Sequence, residues 1–285
     1  MRKSHATLLI HCPDRKGIVA EVTRFLLSYD ANVVDIEQHV DPSIGHFFMR
    51  VEWDLSDFEI SRSEIGTTFQ EVIGHRFDMV WQLQFTDVPP RMAIFVSKES
   101  HCLYDILQRY ESGEWRIEIP LIISNHERLR GIADRTNIKF HHLPITKENK
   151  AQQEATQIRI LQEAQIDFIV LARYMQILTD KFVRIFENKI INIHHSFLPA
   201  FAGARPYHQA HERGVKIIGA TSHFVTANLD EGPIITQDVE AISHRDSVDD
   251  MKRKGRDLEK QVLSRAIWLQ LQHKILPLHN KTVIF

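Results

Sequence analysis

The sequence predicts an α/β protein in two parts, an N-terminal ferredoxin-like βαββαβ unit and a larger Rossmann-like unit with a mostly parallel sheet. In the first 85 residues, four strand patterns and two helical patterns follow one another in the βαββαβ order. From Met92 onward, short apolar runs alternate with helical patterns, which is typical of βαβ units and their parallel strands.

The N-terminal part begins with a strand predicted at residues 6–11. Apolar side chains from Ile18 to Tyr29 then recur at helical spacing, so this segment should pack one face of an amphipathic helix on a sheet. Asp14, in the turn before it, is suited to cap the first turn of that helix. Further strands are predicted at residues 32–39, 46–55 and 79–85, and a second helix at residues 61–77.

Two adjacent prolines mark the boundary between the parts. Pro89 and Pro90 can neither continue a helix nor donate to a central strand, so residues 86–91 should be a linker. The predicted domains are therefore residues 1–85 and 92–285. In the second domain, strands are predicted at residues 92–96, 117–123, 139–142, 168–171, 190–194, 217–225 and 234–239, and helices at 102–110, 126–136, 147–164, 179–186 and 247–274.

The composition narrows the possible partners of the chain. Hydrophobic residues make up 43% and charged residues 25% of the 285 residues, and the net charge of −2 gives no electrostatic case for binding nucleic acid or an anionic membrane. No apolar run approaches the roughly 18 residues of a membrane span, and the N-terminal residues do not resemble a signal peptide. Cys12 and Cys102 are far apart in sequence, which favours two reduced thiols in a cytoplasmic protein.

Polar side chains follow the apolar start of the strand predicted at 190–194. Asn192 and His194 are two residues apart and therefore point to the same side of the strand, near the carboxyl end where parallel sheets bind ligands. A second polar segment, 221–230, runs from a strand into a turn that contains Asp230. Each segment alone could be structural, with Asn192 bonded to His194 in a core and Asp230 only turning the chain. Together they favour a catalytic site.

The N-terminal part resembles an ACT domain. The resemblance rests on Pro13-Asp14-Arg15-Lys16-Gly17, on the apolar helix that follows, and on Ala31-Asn32-Val33-Val34-Asp35. ACT domains commonly pair their sheets between subunits and bind small amino acids at the seam. The resemblance therefore implies a homo-oligomer, a dimer or a tetramer, with an effector near Asp14 and Asn32. The alternative is a purely structural dimerisation module.

The second part resembles the folate-dependent formyl transferases and hydrolases. The matching segments are Asn192-Ile193-His194, Ser196-Phe197-Leu198-Pro199, His223-Phe224-Val225, Asp230-Glu231-Gly232-Pro233-Ile234-Ile235 and residues 168–178. Joined to the ACT-like part, they resemble the formyltetrahydrofolate deformylase family along nearly the whole chain. This resemblance implies hydrolysis of 10-formyltetrahydrofolate by water to tetrahydrofolate and formate, which supplies formate for purine synthesis and balances the one-carbon folate pools.

The same resemblance implies which residues form the site. Asn192, His194 and Asp230 would be the catalytic set, in which N–H donors stabilise an oxyanion while a carboxylate or an imidazole moves a proton. Either Asp230 or His194 could be the general base. Residues expected to contact the substrate are Met175, Gln176, Ile177, Leu178, His195, His223, Thr226 and His101.

No metal or other cofactor is expected, because folate is the substrate and the family reaction needs no metal. His208 and His211 are spaced to share a helix face, but the chain lacks the His-Glu-x-x-His pattern of many zinc sites.

Two other functions stay open, a formyl transferase with an amine acceptor and a non-catalytic amino-acid sensor. Against a phosphorylated acceptor, residues 96–102 contain no glycine that would let the backbone approach a phosphate, and Glu99 would repel one.

Overall fold

The computed structural model describes residues 4–200 and 206–285. Contacts divide the chain into two units. The first contains the described residues up to Pro89 together with residues 273–276 and 283–285, and the second contains residues 90–272 and 277–282. No helix among the described residues is both long and apolar enough to cross a membrane.

The first unit has the predicted βαββαβ order. Its elements are β1 (His5–Pro13), α1 (Ile18–Ser28), β2 (Asn32–Asp41), β3 (His46–Asp54), α2 (Ile65–Phe69) and β4 (Val80–Phe85). The strands form an antiparallel sheet in the order β2-β3-β1-β4. Alternate residues of β1 and β3 bury one sheet face under α1 and α2, so the alternation read from the sequence is the alternation that builds this core.

The prediction that Asp14 caps α1 is wrong. The N-cap residue is Gly17, and no side chain caps the helix. Gly17 has a φ of 96°, a conformation that glycine adopts without steric cost, so the chain turns into the helix there. Asp14 lies three residues earlier, where its backbone N–H donates to the Gly45 carbonyl at 2.8 Å.

The second helix is shorter than the predicted 61–77. It is α-helical over Ile65–Phe69 and continues as a π-helical turn at Gln70–Gly74. The Gln70 side chain folds over Gly74, where a Cβ atom would lie 2.5 Å from Gln70 Oε1. That oxygen accepts a hydrogen bond from Trp81 Nε1 at 2.6 Å, so the widened turn is tied to β4.

The second unit contains the parallel sheet. Its strands are β5 (Arg91–Val96), β6 (Glu118–Ser124), β7 (Lys139–His142), β8 (Phe168–Leu171), β9 (Ile190–His194), β10 (Ile217–Phe224) and β11 (Ile234–Ala241). Its helices are α3 (His101–Glu111), a 3₁₀ turn (Glu127–Leu129) leading into α4 (Arg130–Arg135), α5 (Lys150–Glu163), α6 (Asp180–Ile185), α7 (Pro206–Arg213) and α8 (Val248–Leu271). Two short strands, β12 (Ile275–Leu278) and β13 (Lys281–Ile284), pair with each other after α8.

The strand order of the large sheet places a crevice beside β8. The order is β11-β10-β9-β8-β5-β6-β7, in which β5 to β9 run parallel, β10 runs antiparallel to them, and β11, antiparallel to β10, runs in their direction again. The chain passes from β5 outward to β7 and then returns to β8 on the other side of β5. Ligands bind outside the carboxyl ends of the strands at such a switch point. The polar residues that follow β8 and end β9 therefore lie at the expected edge of the sheet.

Candidate active site

Asn192 and His194 lie on β9, and their neighbour on β10 is a third polar side chain. Antiparallel pairing sets His223 opposite Asn192, and Asn192 Nδ2 lies 3.2 Å from His223 Nε2. His223 Nδ1 lies 2.9 Å from the Phe224 carbonyl oxygen, which can only accept, so Nδ1 carries a proton. In the neutral ring, Nε2 then accepts a hydrogen bond from the Asn192 amide. His223 therefore orients Asn192.

Asp230 approaches both imidazoles from the turn after β10. Its Oδ2 lies 3.3 Å from His194 Nδ1, and its Oδ1 lies 3.7 Å from His223 Nε2. Hydrogen bonding from His194 holds the pKa of the Asp230 carboxyl well below its usual range, although partial burial opposes the shift. Asp230 is therefore a carboxylate throughout the physiological pH range.

A close backbone approach fixes the turn that carries Asp230. The Phe224 N–H donates to the Pro233 carbonyl at 2.9 Å, which closes the turn onto the end of β10. A Cβ atom at Gly232 would lie 1.8 Å from the Phe224 carbonyl oxygen, so this position accepts only glycine. The Glu231-Gly232-Pro233 pattern thus lets the chain fold back over the strands and bring Asp230 to His194.

These side chains form part of the wall of a cavity of about 320 Å³. The loop after β8 supplies one side, and the segment from Val225 to Asp230 supplies another. The residues predicted from the sequence that line this cavity are Asn192, His194, Asp230, Met175, Gln176, Ile177, Leu178, His195, His223 and Thr226. The structure thus brings together the two polar segments that the sequence placed at the ends of neighbouring strands.

Comparison with known proteins identifies the family. Residues 90–267 match the family model described as formyl transferase, and residues 6–65 match that of the ACT domain. A formyltetrahydrofolate deformylase of a Synechocystis strain is 57% identical over 285 residues, which is 100% of both chains. A Bacillus subtilis protein of the same name is 47% identical over 279 residues, covering 98% of this chain and 93% of that protein.

A solved structure gives the same result. The crystal structure of a formyltetrahydrofolate deformylase from Pseudomonas syringae is similar with a TM-score of 0.97 and 43% identity, over 100% of this chain and 95% of that one.

The chain belongs to the formyltetrahydrofolate deformylase family.

Membership covers both parts of the chain, so the resemblance inferred from the sequence is confirmed. The full-length match favours the hydrolase over the transferase and the sensor that the sequence left open.

One predicted substrate residue lies elsewhere in this family member. His101 does not line the cavity. It begins α3, and its Nε2 lies 2.8 Å from Glu259 Oε2 on α8. The loop that ends β5 therefore directs this imidazole into a buried ion-pair network behind the cavity.

Glu259 is the centre of that network. Its carboxylate is 2% exposed, accepts a hydrogen bond from the Tyr207 hydroxyl at 3.2 Å, and lies 3.4 Å from Arg173 Nε. Burial raises the pKa of Glu259, but the His101 hydrogen bond and the Arg173 charge outweigh burial and lower it. A Cβ atom at Gly255 would lie 2.0 Å from the Tyr207 oxygen, so the glycine one turn before Glu259 makes room for this contact.

The sequence interpretation missed Arg173 and Glu259. Arg173 stands within the matched segment 168–178 and lines the cavity, with a φ of 64° that is uncommon for a side chain other than glycine. Glu259 stands in the buried row of α8 between Gly255 and Val262. A charged residue on the apolar face of a predicted helix was the available signal, because such a residue is buried only with partners.

His195 lies between His194 and Tyr207, which belongs to the Glu259 network. Its ring centroid is 5.0 Å from that of His194 and 6.1 Å from that of Tyr207. Burial, and then the charge of Arg173, lower the pKa of His195 to about 4. The ring is therefore neutral at pH 7 and adds no positive charge beside His194.

The two predicted effector residues lie far apart within one chain. The backbone N–H of Asp14 bonds to Gly45, next to the start of β3, whereas Asn32 pairs with Asp54 at its other end. At a strand rise of roughly 3.3 Å per residue, this separation is on the order of 25 Å. A groove beside Asp14 is lined also by Gly17, Gln38 and Phe47.

Replacement of His195 should change how the stability depends on pH. An unfolded histidine has a pKa near 6.5, and folding lowers that of His195 to about 4. Its contribution to stability is therefore complete above pH 6.5 and is lost as the pH falls towards 4. We expect the Tm of His195→Gln to fall less between pH 7 and pH 5 than that of the wild type, as measured by calorimetry. The exposed His244 provides the control, since His244→Gln should follow the wild type. Parallel curves for all three proteins would contradict this assignment.

Proposed function

We propose that this chain hydrolyses 10-formyltetrahydrofolate, with water as the acceptor, to tetrahydrofolate and formate. The observation that carries the proposal is the hydrogen-bonded set of Asn192, His194, His223 and Asp230 in the wall of the cavity, in a chain whose full-length relatives are named formyltetrahydrofolate deformylases. We also propose that the reaction takes place in the cytoplasm, where its formate supplies purine synthesis and its turnover balances the one-carbon folate pools.

The chemistry needs an oxyanion donor and a proton carrier. Water attacks the formyl carbon, the carbonyl electrons move to oxygen, and a tetrahedral oxyanion forms. The Asn192 amide has a second N–H beyond the one bonded to His223, and this donor suits the oxyanion. The proton taken from water passes to N10 as the carbon–nitrogen bond breaks, which releases formate and the amine of tetrahydrofolate.

His194 is the better candidate for the proton carrier. Asp230 has a pKa well below its usual range, which makes its carboxylate a weak base at neutral pH. The same carboxylate accepts from His194 Nδ1, which fixes the tautomer and leaves Nε2 able to take a proton. Nε2 has no hydrogen-bond partner within residues 4–200 and 206–285. Asp230 then orients the ring and stabilises the imidazolium that forms.

Apolar side chains at the cavity suit the ring systems of a folate. Met175, Ile177 and Leu229 line the cavity, and each is more than half exposed. Large apolar side chains exposed together commonly mark a binding surface. We propose that they pack on the pterin and aminobenzoyl rings, which leaves the formyl group beside Asn192 and His194.

The N-terminal unit is proposed to regulate a homo-oligomer, a dimer or a tetramer. β2 is an edge strand, and its Val34 and Ile36 side chains are exposed. Exposed apolar residues on an edge strand favour pairing with another chain. Such pairing would bring the groove beside Asp14 next to a second subunit, where a small amino acid could bind near Asp14 and Asn32.

Removal of the catalytic groups should abolish hydrolysis and spare folate binding. Asp230→Asn, Asn192→Ala and His194→Ala should each lower kcat by about 10² or more, because general acid–base and oxyanion contributions are of this size. The measurement is formate release together with the Kd of tetrahydrofolate. Glu231→Gln is the matched control, since Glu231 is the next carboxylate of the turn, is exposed and does not line the cavity. Near-normal formate release by Asp230→Asn would overturn the assignment.

Water should outcompete an amine acceptor. Glu99 follows β5, where a phosphorylated acceptor would meet a like charge, and its partner Arg256 is 3.7 Å away. We expect labelled formyl-folate to give free formate in the presence of excess glycinamide ribonucleotide. Label appearing on the amine faster than as formate would place the chain among the transferases.

Hydrolysis should not depend on a metal. Among the described residues, one group of three potential ligands comes together, His101, Cys102 and Glu259, and the Arg173 guanidinium beside Glu259 would oppose a metal cation there. We expect unchanged kcat after dialysis against a strong chelator. Activity that disappears and returns on addition of zinc would refute this proposal.

A small amino acid should change the rate or the oligomeric state. An effector acts only if it binds one state more tightly than another. We expect calorimetry to detect binding of a small amino acid, and Asp14→Ala to weaken it. The control is Asp30→Ala, an exposed aspartate of the same unit that does not line the groove. Absence of binding to the wild type would leave the N-terminal unit with a structural role.

A further inference from the structure

The loop between β8 and α6 contacts the substrate cavity but has no regular structure. Residues 174–178 (the cavity loop) all line the cavity. Met175 is 59% and Ile177 58% exposed, so apolar packing does not hold these side chains in place. Tyr174 and Leu178, at the two ends of the loop, are buried in the hydrophobic core. The irregular backbone between them has few buried contacts and is expected to sample several conformations unless hydrogen bonds from its surroundings hold it.

One face of α5 supplies those bonds. Lys150, Glu154 and Gln157 are spaced i, i+4 and i+7, which places them along the same side of the helix. Lys150 Nζ donates to the Ile177 carbonyl at 2.5 Å, and Gln157 Nε2 donates to the Tyr174 hydroxyl at 3.1 Å. α5 is thus hydrogen-bonded to the cavity loop at its first residue, Tyr174, and at its fourth, Ile177.

Glu154 makes the central contact. Its carboxylate is 4% exposed, and its Oε1 accepts from the Thr179 backbone N–H at 3.1 Å. Its other oxygen accepts a hydrogen bond from the Thr179 hydroxyl. That hydroxyl also accepts from the Phe182 N–H and so caps α6. Both donors of Thr179 therefore converge on one buried carboxylate at the end of the cavity loop.

A buried serine holds the loop from the other side. Ser97, just after β5, is 2% exposed, and its Oγ accepts from the Met175 N–H at 3.0 Å. The same hydroxyl donates to Asn125 Oδ1 at 2.7 Å, which leaves it only an acceptor role towards Met175. Three different side chains thus fix the backbone at Met175 and Ile177, within the cavity loop, and at Thr179, the residue that follows it.

We infer that Glu154, supported by Lys150, is a positioning residue for folate binding that holds the cavity loop in its binding conformation. Neither residue lines the cavity, so each acts through the loop and leaves the reacting atoms untouched. The inference rests on the proposed function, because the loop is taken to contact the folate. Loosening the loop lowers the fraction of protein that is competent to bind and so raises the apparent Kd and KM. The chemical step depends on β9 and the Asp230 turn, which these bonds do not touch.

The test is the separate effect of Glu154→Gln on KM and kcat. The substitution keeps the size of the side chain but replaces one acceptor oxygen and removes the charge that strengthens both hydrogen bonds. We expect KM for 10-formyltetrahydrofolate to rise about tenfold while kcat stays within about twofold, as fits the loss of a charge-assisted hydrogen bond. A residue needed only for folding would instead lower the active fraction, and therefore kcat, at unchanged KM.

Three further variants change the contact between Thr179 and Glu154, and a fourth is a control outside it. Thr179→Val removes the hydroxyl and should raise KM, whereas Thr179→Ser keeps the hydroxyl and should have the KM of the wild type. Thr179→Val combined with Glu154→Gln should raise KM by less than the product of the two single effects, because both substitutions remove the same contact. Glu163→Gln is the control on α5, where Glu163 is exposed and pairs with Arg159. Its KM should match that of the wild type.

Lys150→Met keeps the test decisive if Glu154→Gln does not fold. Its ammonium group bonds to the Ile177 carbonyl outside the core, and its loss should raise KM about threefold at constant kcat, as expected for a single exposed hydrogen bond. An active wild type whose KM is unchanged in both Glu154→Gln and Lys150→Met overturns this inference alone. A wild-type chain that releases no formate from 10-formyltetrahydrofolate overturns the proposed function and this inference together.

Discussion

The arrangement of the side chains in the site depends on the negative charge of Asp230. A partly buried carboxylate is stable only beside a donor, and here the donor is the His194 imidazole on β9, with the His223 ring on β10 next to it. The antiparallel register of these strands sets His223 opposite Asn192. Because side chains alternate along a strand, a slip of one residue would turn Asn192 and His194 to the other face and leave the carboxylate without its partners.

A second buried carboxylate, Glu259, sets the charge of the neighbouring wall. It pairs with Arg173, and because the two charges are opposite and adjacent, their electrostatic effects at His194 largely cancel. His195 stands between them as a neutral ring, because burial and Arg173 lower its pKa to about 4. In the proposed mechanism, an imidazolium at His194 would therefore meet one nearby carboxylate, Asp230, and little opposing charge. The two acidic residues of this chain thus have different partners, His194 for Asp230 and Arg173 with His101 for Glu259.

The sequence was sufficient for the elements whose pattern is local. The strands 139–142, 168–171 and 190–194 have the predicted bounds, since each is a short run flanked by residues that end a strand. The position of Asn192 and His194 on the same side of their strand also follows from the alternation of side chains along it.

The sequence-based predictions that failed concern features set by contacts between residues far apart in the chain. The π-helical turn requires Trp81 on another strand, and the grouping of residues 273–276 with the first unit reflects contacts such as the 3.2 Å bond from Arg50 Nε to the His273 carbonyl. The position of His101 depends on Glu259, which is 158 residues away in the chain. No periodicity in a single sequence carries information of this kind.

Some side chains of the site are carried by a regular strand and others by irregular backbone. Asn192 and His194 are carried by β9, whose other three residues are all buried, so packing on both faces of the strand holds its backbone in place. Arg173 and Asp230 stand instead where strands give way to loops, and both have positive φ angles that are unfavourable for their side chains. Such conformations persist only where other contacts impose them, and here these contacts are the ion pair of Arg173 with Glu259 and the contact of Asp230 with His194. The loops of this site are therefore as determined as its strands, but by side-chain partners instead of a backbone ladder.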